Sequence, residues 1–341
     1  MKTYSKNKRI LKIILAYFLY YTGLIFILSN LRLKNKCIVL VYHRVVSPLR
    51  EIYHVQDGMY VEPHVFKQHL DYLASHFNII SEKEFIDTLR KKKRFNKACL
   101  ITFDDGWRDN FQYAFPLLKE KNIPATIFLA TGLTGTSNWF WPEKILYFVE
   151  NINLKSLSKI EDKKIRKLIE AYHKNNEKEE SHLNKLIEYL KSVPEEKLEY
   201  IIGNLSEMAT KTISDERQVL DWDEIKEMMN YSISFGSHTV NHKILTNNVD
   251  IQKVRFELEV SKRTIENKID SKVRSFCFPN GNFNDLLIGE LEKANYDLGF
   301  IGGRGVNDSK TDPFRVKRIG IHNDVSYNSA LFACRLLFPI F

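Results

Sequence analysis

Four ionisable side chains in two short motifs have the types and spacing to bind a metal and activate water. The motif TFDDG holds the adjacent carboxylates of Asp104 and Asp105, and the motif SHTVNH holds His238 and His242. Two histidines four residues apart lie on one face of a helical turn, so both imidazoles can reach one ion. An aspartate from the first motif would complete a one-carboxylate, two-histidine site with open positions for water. Such a site suits a divalent transition metal that acts as a Lewis acid.

Each motif alone also has a purely structural interpretation. Asp-Asp-Gly is compatible with a turn whose carboxylates are solvated, and paired histidines also occur at surfaces and in cores. Both motifs, however, follow predicted strands, and α/β folds place ligands and catalytic groups at that end of their strands. Two motifs at the same rim therefore favour the chemical interpretation.

Other polar residues are predicted at the same rim. His43 ends the first predicted strand and would bind substrate, support the metal or pack in the core. The motif FCFPNG ends in a tight turn after another strand. Arg315 and Arg318 either pair with an acid near the site or cap the last strand.

These residues need a sheet to position them, and seven short apolar runs predict its strands. The predicted strands are 37–42, 98–103, 125–130, 232–237, 273–278, 296–301 and 315–321. Helical patterns at 63–76, 82–91, 110–121 and 249–269 alternate with them. Short, mostly apolar strands between helices are typical of a parallel sheet in an α/β fold. Seven of them favour a barrel-like closure over an open sheet.

A Lys/Glu-rich stretch interrupts this alternation. Residues 151–217 have helical periodicity and predict a helical insertion whose charges mostly form a solvated face. The chain is thus predicted to comprise an N-terminal segment (1–36), a first part of the barrel (37–150), the insertion (151–217) and a second part of the barrel (218–341).

Composition and charge exclude several classes of protein. Hydrophobic residues make up 44% and charged residues 27%, which is typical of a globular protein and not of a disordered, collagenous or polytopic membrane protein. The net charge is +9, but the first 50 residues hold ten Lys/Arg and no Asp or Glu. The remainder therefore carries 9 − 10 = −1, and no nucleic-acid partner is predicted.

The basic N-terminus surrounds an apolar segment. Residues 13–29 carry no charge, and residues 10–30 together predict a single transmembrane helix. Five basic residues before the segment favour a membrane-anchored protein with its body outside the cytoplasm. A cleaved signal peptide and a buried helix of a soluble domain are the alternatives, although no Ala-x-Ala cleavage site follows.

Taken together, the motifs resemble those of the polysaccharide deacetylase family, also called the NodB-homology or carbohydrate esterase family 4 domain. TFDDG and SHTVNH match the first two family motifs in full and in order, and YHRV at the first strand is similar to the opening of the branch that acts on exported or surface polysaccharides. The resemblance covers roughly residues 37–145 and 218–325. It implies a distorted (β/α)7 barrel that hydrolyses N-acetyl groups of an amino-sugar polysaccharide.

The resemblance also implies roles for individual residues. Asp105, His238 and His242 would hold a divalent metal, most often zinc. Asp104 would be the general base that takes a proton from the attacking water, and His322 is the candidate general acid. The products would be acetate and an amine on the sugar.

Two features depart from the family pattern. Cys277 stands where the third motif often has an arginine that orients the catalytic aspartate. Pro279, Asn280 and Gly281 are similar to a branch that lacks this arginine, and the backbone N–H of Asn280 would face the oxyanion. The missing arginine and the loose match at His322 keep open the alternative of a catalytically weak glycan-binding protein. The short apolar anchor keeps open a second alternative, a deacylase of a lipid-linked sugar or other small amide.

Overall fold

A computed structural model describes residues 2–47, 55–56, 58–174, 180–246, 250–338 and 341. Positions 1, 48–54, 57, 175–179, 247–249, 339 and 340 lie outside the described residues, although some of the segments predicted above include them. The chain forms two compact units. The first unit comprises Met1–Ser47, Gly58–Gly135 and Val219–Phe341, and the second comprises Pro48–Asp57 and Thr136–Gln218.

The described residues form eleven strands and fourteen α-helices. The strands are β1 (Cys37–Tyr42), β2 (Arg44–Val45), β3 (Tyr60–Val61), β4 (Asn78–Ile79), β5 (Ala98–Phe103), β6 (Ala125–Leu129), β7 (Ile233–Ser237), β8 (Ser275–Cys277), β9 (Leu298–Ile301), β10 (Val316–Lys317) and β11 (Ile319–Gly320). The helices are α1 (Lys2–Tyr21), α2 (Leu24–Leu33), α3 (Pro63–His76), α4 (Glu82–Arg90), α5 (Phe115–Glu120), α6 (Trp141–Glu150), α7 (Lys163–Lys174), α8 (Glu180–Leu190), α9 (Glu195–Met208), α10 (Trp222–Met229), α11 (Ile251–Ile269), α12 (Asp285–Lys293), α13 (Asn323–Ser326) and α14 (Ser329–Leu337).

The main sheet of the first unit is a nearly closed parallel barrel, as predicted. Its strands follow the order β10-β9-β8-β7-β6-β5-β1-β11, and β4 pairs with β5. All of these pairings are parallel. The last predicted strand is interrupted at Arg318, because β10 pairs with β9 and β11 pairs with β1 at the opposite edge. Counted as one interrupted strand, β10 and β11 complete a seven-membered ring.

The strands form where the sequence is apolar enough to be buried on both faces. Every residue of β1, β5 and β6 is buried, which is expected when helices cover a parallel sheet from outside and side chains fill its interior. The helices begin at defined signals. Ser81 and Glu84 form a capping box at the start of α4, and Asp221 and Glu224 form another at the start of α10.

The parallel arrangement places the carboxyl ends of the strands at one rim. The residues that follow β1, β5, β7 and β11 include His43, Asp104, His238 and His322. Residues far apart in the sequence therefore converge at this rim.

The second unit is helical and has its own apolar core. Helices α6 to α9 contribute buried residues that include Ile145, Ile165, Ile169, Leu186 and Leu205. The predicted helical insertion, 151–217, lies within this unit, which begins at Thr136.

The N-terminal segment differs from the predicted single transmembrane helix. It forms two helices, and the break at Thr22 and Gly23 bends the chain by 84° between Arg9–Tyr21 and Leu24–Leu33. Gly23 has φ 77° and precedes α2, a left-handed conformation that glycine adopts without steric cost. Among the described residues, no single helix has the length and apolarity to cross a bilayer, and only this bent pair meets that criterion jointly.

Candidate active site

The two aspartates of the first motif occupy a sharp turn directly after β5. Asp105 has φ 74° and Gly106 has φ 73°, and both carboxylates are buried. A Cβ atom at Gly106 would lie 2.8 Å from Cδ2 of Leu129 and would also have to adopt the positive φ, so a larger residue there would strain the turn. Backbone strain of this kind is retained where the surroundings enforce it, often at functional sites. The turn lets two consecutive carboxylates meet different partners.

Asp105 meets both histidines of the second motif, as predicted. Its Oδ1 lies 3.4 Å from Nε2 of His238 and 3.2 Å from Nε2 of His242. Its Oδ2 accepts a 2.9 Å hydrogen bond from Nε1 of Trp107. The loop that carries the histidines is also strained, with φ 71° at Thr239 and 54° at His242.

The hydrogen bonding of His238 shows what this cluster can hold. Its Nδ1 lies 2.8 Å from the carbonyl oxygen of Cys277. A carbonyl only accepts hydrogen bonds, so Nδ1 carries a proton, and in the neutral ring Nε2 is left with a lone pair that faces Asp105. A cation between Nε2 and the carboxylate would be bound by both of them, whereas without a cation a protonated Nε2 faces Asp105, in accord with the raised pKa of His238.

The donor set fits a divalent cation. Ligand atoms of Asp105, His238 and His242 all lie within 4.8 Å of one another. Tetrahedral ligands about 2.0–2.1 Å from zinc would be about 3.3–3.4 Å apart, close to the separations of both Nε2 atoms from Oδ1. The bond from Nδ1 of His238 to a carbonyl is the usual support of a metal-binding histidine.

Asp104 has a different partner, the guanidinium of Arg318. Nη1 and Nη2 of Arg318 donate to Oδ1 and Oδ2 of Asp104, each at 2.7 Å. Arg318 also donates to Oγ1 of Thr102 at 3.3 Å and to Sγ of Cys277 at 2.9 Å. Both members of this pair are buried. The two-point contact fixes the plane of the Asp104 carboxylate.

Arg318 provides the arginine that is absent from the third motif. It lies between β10 and β11, where the chain changes from one edge of the sheet to the other. Of the two interpretations of this arginine, pairing with an acid near the site is confirmed. Arg315 instead pairs with Asp285 and Asp312.

The electrostatics of the two carboxylates follow from these partners. Burial alone would raise the pKa of Asp105, but the imidazoles of His238 and His242 hold that pKa well below its usual range. Burial likewise opposes ionisation of Asp104, and Arg318 outweighs it, so the pKa of Asp104 is lowered. Burial lowers the pKa of His238, yet the neighbouring Asp105 raises it overall. Both carboxylates are therefore anionic at neutral pH.

His43 lies beside the acidic pair, as predicted. Its Nε2 is 4.0 Å from Oδ2 of Asp104, and its side chain is 27% exposed. Burial lowers the pKa of His43, and the nearby Asp105 and Asp104 partly oppose that shift. The carbonyl of His43 accepts a hydrogen bond from Asn110. His43 is thus a neutral imidazole at the mouth of the site.

His322 has another environment. Its Nδ1 pairs with Asp324, the second residue after it. Within the described ranges, no hydrogen bond or ion pair connects its ring to Asp104, Asp105 or the two histidines of the second motif. Its role as general acid stays a prediction.

The turn of the third motif follows β8. Pro279–Gly281 form one turn of 3₁₀-helix in which Asn280 has φ 57°. The N–H of Gly281 donates to Phe278, and its carbonyl accepts from the N–H of Gly302, each at 2.8 Å. Gly281 therefore joins β8 to the end of β9, while oxyanion binding by Asn280 stays a prediction.

A buried glutamate supports the histidine loop and was not predicted. Glu257 of α11 accepts hydrogen bonds from the N–H groups of Val240 (2.7 Å) and Asn241 (2.9 Å), and from Nδ2 of Asn241 (2.8 Å). Its burial is almost complete. The available signal was a glutamate at the helical spacing of the buried residues Val254, Leu258 and Ser261.

A parallel barrel whose rim gathers two aspartates, two histidines and an arginine defines a hydrolytic site. The protein-family model described as polysaccharide deacetylase matches residues 91–299, which is more than half of the chain. The chain therefore belongs to the polysaccharide deacetylase family and is a hydrolase. The match includes both motifs, whereas His43 and Arg318 lie outside it.

Individual relatives agree with this assignment. The chain is 27% identical over 300 residues to poly-beta-1,6-N-acetyl-D-glucosamine N-deacetylase of Staphylococcus epidermidis, covering 85% of this chain and 81% of that protein. The deacetylase PplD of Streptococcus pyogenes, solved with acetate, has a TM-score of 0.57 at 20% identity, over 89% of this chain and 99% of that one. IcaB from Ammonifex degensii has a TM-score of 0.55 at 17% identity, over 88% and 97%. These two structures share the fold.

Proposed function

We propose that this chain is a metal-dependent deacetylase of an N-acetylated amino-sugar polysaccharide, and that poly-β-1,6-N-acetylglucosamine is the first substrate to test. The single observation that supports it most is the cluster of Asp105, His238 and His242 beside the arginine-bound Asp104. The substrate follows from the name of the Staphylococcus epidermidis relative.

Asp105, His238 and His242 would hold the cation, which is expected to be zinc. When bound, a divalent cation supplies Lewis acidity, which polarises the amide carbonyl and makes water more acidic. Asp-His-His donor sets accept several divalent ions. The identity of the metal is therefore measured rather than assumed in the experiment below.

The other residues would handle protons. Asp104, oriented by Arg318, takes a proton from water as the water oxygen attacks the acetyl carbon. The C–N bond then breaks, and the sugar nitrogen takes a proton as it leaves. His322 is the proposed donor of that proton. Alternatively, His43, whose Nε2 lies 4.0 Å from Oδ2 of Asp104, would relay to the nitrogen the proton that Asp104 has taken from water. The products are acetate and a free amine.

The experiment measures metal content and acetate release together. Purified full-length chain is analysed for bound metal and then incubated with soluble poly-β-1,6-N-acetylglucosamine oligomers, with and without chelator. We expect chelation to abolish acetate release and the metal to restore it. The Asp105→Ala and His238→Ala variants should lose both metal and activity, whereas the control His64→Ala, at an exposed histidine of α3, should retain both.

The Asp104→Asn variant separates catalysis from binding. It removes the proposed base and leaves the metal cluster intact, so metal content should be unchanged while kcat falls at least about 10²-fold, the range of a general base. Equal acetate release with and without chelator would overturn the metal mechanism. Glycan binding without turnover by the metal-replete wild type would instead favour the glycan-binding alternative.

Lipid-linked sugars provide the comparison for the other alternative. A kcat/KM for a lipid-linked N-acetylhexosamine well above that for the oligomers would assign the activity to that substrate. Association with the cell membrane, with the catalytic domain outside the cytoplasm, is also a proposal, and it rests on the apolar N-terminal residues 10–30. Cell fractionation combined with protease accessibility would test it.

A further inference from the structure

The bent N-terminal helix pair, α1 and α2, exposes an unusual amount of apolar surface. Ten of the sixteen large apolar side chains that are exposed in the described chain belong to these two helices. The most exposed include Leu11, Phe18, Tyr21, Ile27 and Leu31, at 57–77%. A concentration of exposed apolar residues in one short segment marks an interaction surface.

The opposite face of the same pair is anchored to the barrel unit. Ala16, Ile25 and Leu33 are buried in one apolar cluster with Phe332 of α14 and Tyr72 of α3. Straightening the pair into one helix would expose these residues to water, which costs about 25 cal/mol per Å² of apolar surface. The bend is thus part of the packed structure of this unit.

The exposed charges of the N-terminal segment are basic. Arg9, Lys12, Arg32 and Lys34 are exposed, and the first 50 residues contain no acidic residue. Each basic residue near an anionic lipid surface contributes about 1 kcal/mol of attraction. Apolar side chains bordered by cations are the composition of a segment that lies at the interface of an anionic bilayer.

We propose that α1 and α2 lie in the plane of an anionic membrane surface and attach the enzyme to one leaflet, rather than crossing the bilayer. Arg9–Tyr21 and Leu24–Leu33 are 13 and 10 residues long, so the arms measure about 20 and 15 Å. The hydrocarbon core is about 30 Å thick, and interfacial helices bury their apolar face by about 5–10 Å. The bend of 84° lets both arms contact the same surface.

This attachment would leave the active site open. Helix α2 ends shortly before β1 begins, and Oδ1 of Asn30 accepts a hydrogen bond from Lys97, which precedes β5. The helix pair therefore adjoins the amino ends of strands whose carboxyl ends carry the catalytic cluster. Membrane binding and hydrolysis of soluble oligomers are expected to be separable.

The first experiment is vesicle flotation of the purified full-length protein. We expect binding to vesicles of phosphatidylglycerol and phosphatidylethanolamine, and much weaker binding to phosphatidylcholine alone. Phe18→Glu should lower the partition coefficient at least tenfold, with unchanged melting temperature and metal content. Phe256→Glu is the matched control, because Phe256 is a similarly exposed aromatic residue on α11, and it should bind like the wild type. Equal binding by all three proteins would overturn the proposal.

The second experiment distinguishes in-plane attachment from a span. All four native cysteines are buried, so an impermeant thiol reagent reports on Ser5→Cys and Asn35→Cys variants added to preformed vesicles. In-plane attachment predicts labelling of both variants from outside. Protection of Ser5→Cys alone until detergent is added would show a span and overturn the proposal. A dimer that Phe18→Glu dissociates, in a protein that binds no vesicles, would assign the surface to a second copy and also overturn it.

Discussion

The two sides of the catalytic rim are assembled in different ways. The histidine side, defined as Asp105, His238 and His242, comes from two motifs whose internal spacing already predicts convergence. The arginine side, defined as Asp104, Cys277 and Arg318, joins residues 41 to 214 positions apart from three different parts of the sheet. Metal ligands that stand in short motifs can therefore be recognised from the sequence. The partner that orients a carboxylate cannot, because it depends on how the barrel closes.

The first prediction, with the largest expected change, tests whether the arginine side is needed for catalysis. Arg318→Lys keeps the charge but loses the two-point contact with Asp104. A misoriented base is expected to lower kcat by about 10²-fold while metal content stays at the wild-type level. Steady-state kinetics and metal analysis on the same preparation measure both. Arg318→Met, which leaves a buried carboxylate unpaired, is expected to lose about 3–5 kcal/mol of stability.

The control for this prediction lies three residues away. Arg315 pairs with acids outside the site and is partly exposed, so Arg315→Lys should leave kcat within about twofold, as surface substitutions usually do. If Arg318→Lys also loses its metal, the arginine side contributes to metal binding, and the proposed separation of the two sides is wrong. A wild-type kcat in that variant would show that Asp104 needs no orientation by arginine.

The next effect concerns the histidine side and its support from α11. Glu257→Gln weakens the acceptor that receives two backbone N–H groups and the amide of Asn241. Outer partners of metal ligands typically contribute 10–100-fold in affinity, so we expect metal affinity to fall by about tenfold. Competition with a chromogenic chelator measures it, and activity should recover at saturating metal.

Glu259→Gln provides the matched control on the same helix. Glu259 is exposed, and its replacement should leave the metal affinity unchanged. If Glu257→Gln lowers kcat at saturating metal without weakening metal binding, Glu257 acts on catalysis and not on the histidine loop, and the assigned role is wrong.

The same contrast explains how much of the structure the sequence could predict. Apolar runs predicted the positions of the barrel strands because burial on both faces leaves a clear signal, as in β1 and β5. The interruption at Arg318 was not predicted, because a change of pairing partner depends on closure of the ring and not on local propensity. The N-terminal segment differs from the expected single helix because Thr22 and Gly23 divide it into α1 and α2, and hydropathy does not show that a neighbouring helix, here α14, covers one face of the pair. Its membrane association stays a prediction.

The last prediction is a pH test that separates acid unfolding of the barrel from titration of the catalytic rim. Burial lowers the pKa of His69 to about 3, partly opposed by its hydrogen bond to Ser326, whereas the unfolded chain titrates near 6.5. The stability from neutral His69 is complete above pH 6.5 and is lost as pH falls toward 3, at up to about 1.4 kcal/mol per pH unit. The pKa values of Asp104 and Asp105 are already lowered, so both carboxylates stay ionised over most of this range.

Urea denaturation of the chelated protein at pH 7, 6 and 5 measures this effect. The His69 contribution predicts a loss of about 2 kcal/mol between pH 7 and 5. His69→Gln removes the titrating ring, so the variant should be less stable at pH 7 but lose less on acidification, while the exposed His64→Gln should follow the wild type. If His69→Gln keeps the wild-type pH slope, the loss arises elsewhere, and the histidine side, with its raised His238 pKa, becomes the next group to test. A weaker pH dependence of the unfolding free energy in His69→Gln would show that acid destabilises the barrel through His69. Activity lost at a pH where the barrel is still folded would then arise from titration of the catalytic rim.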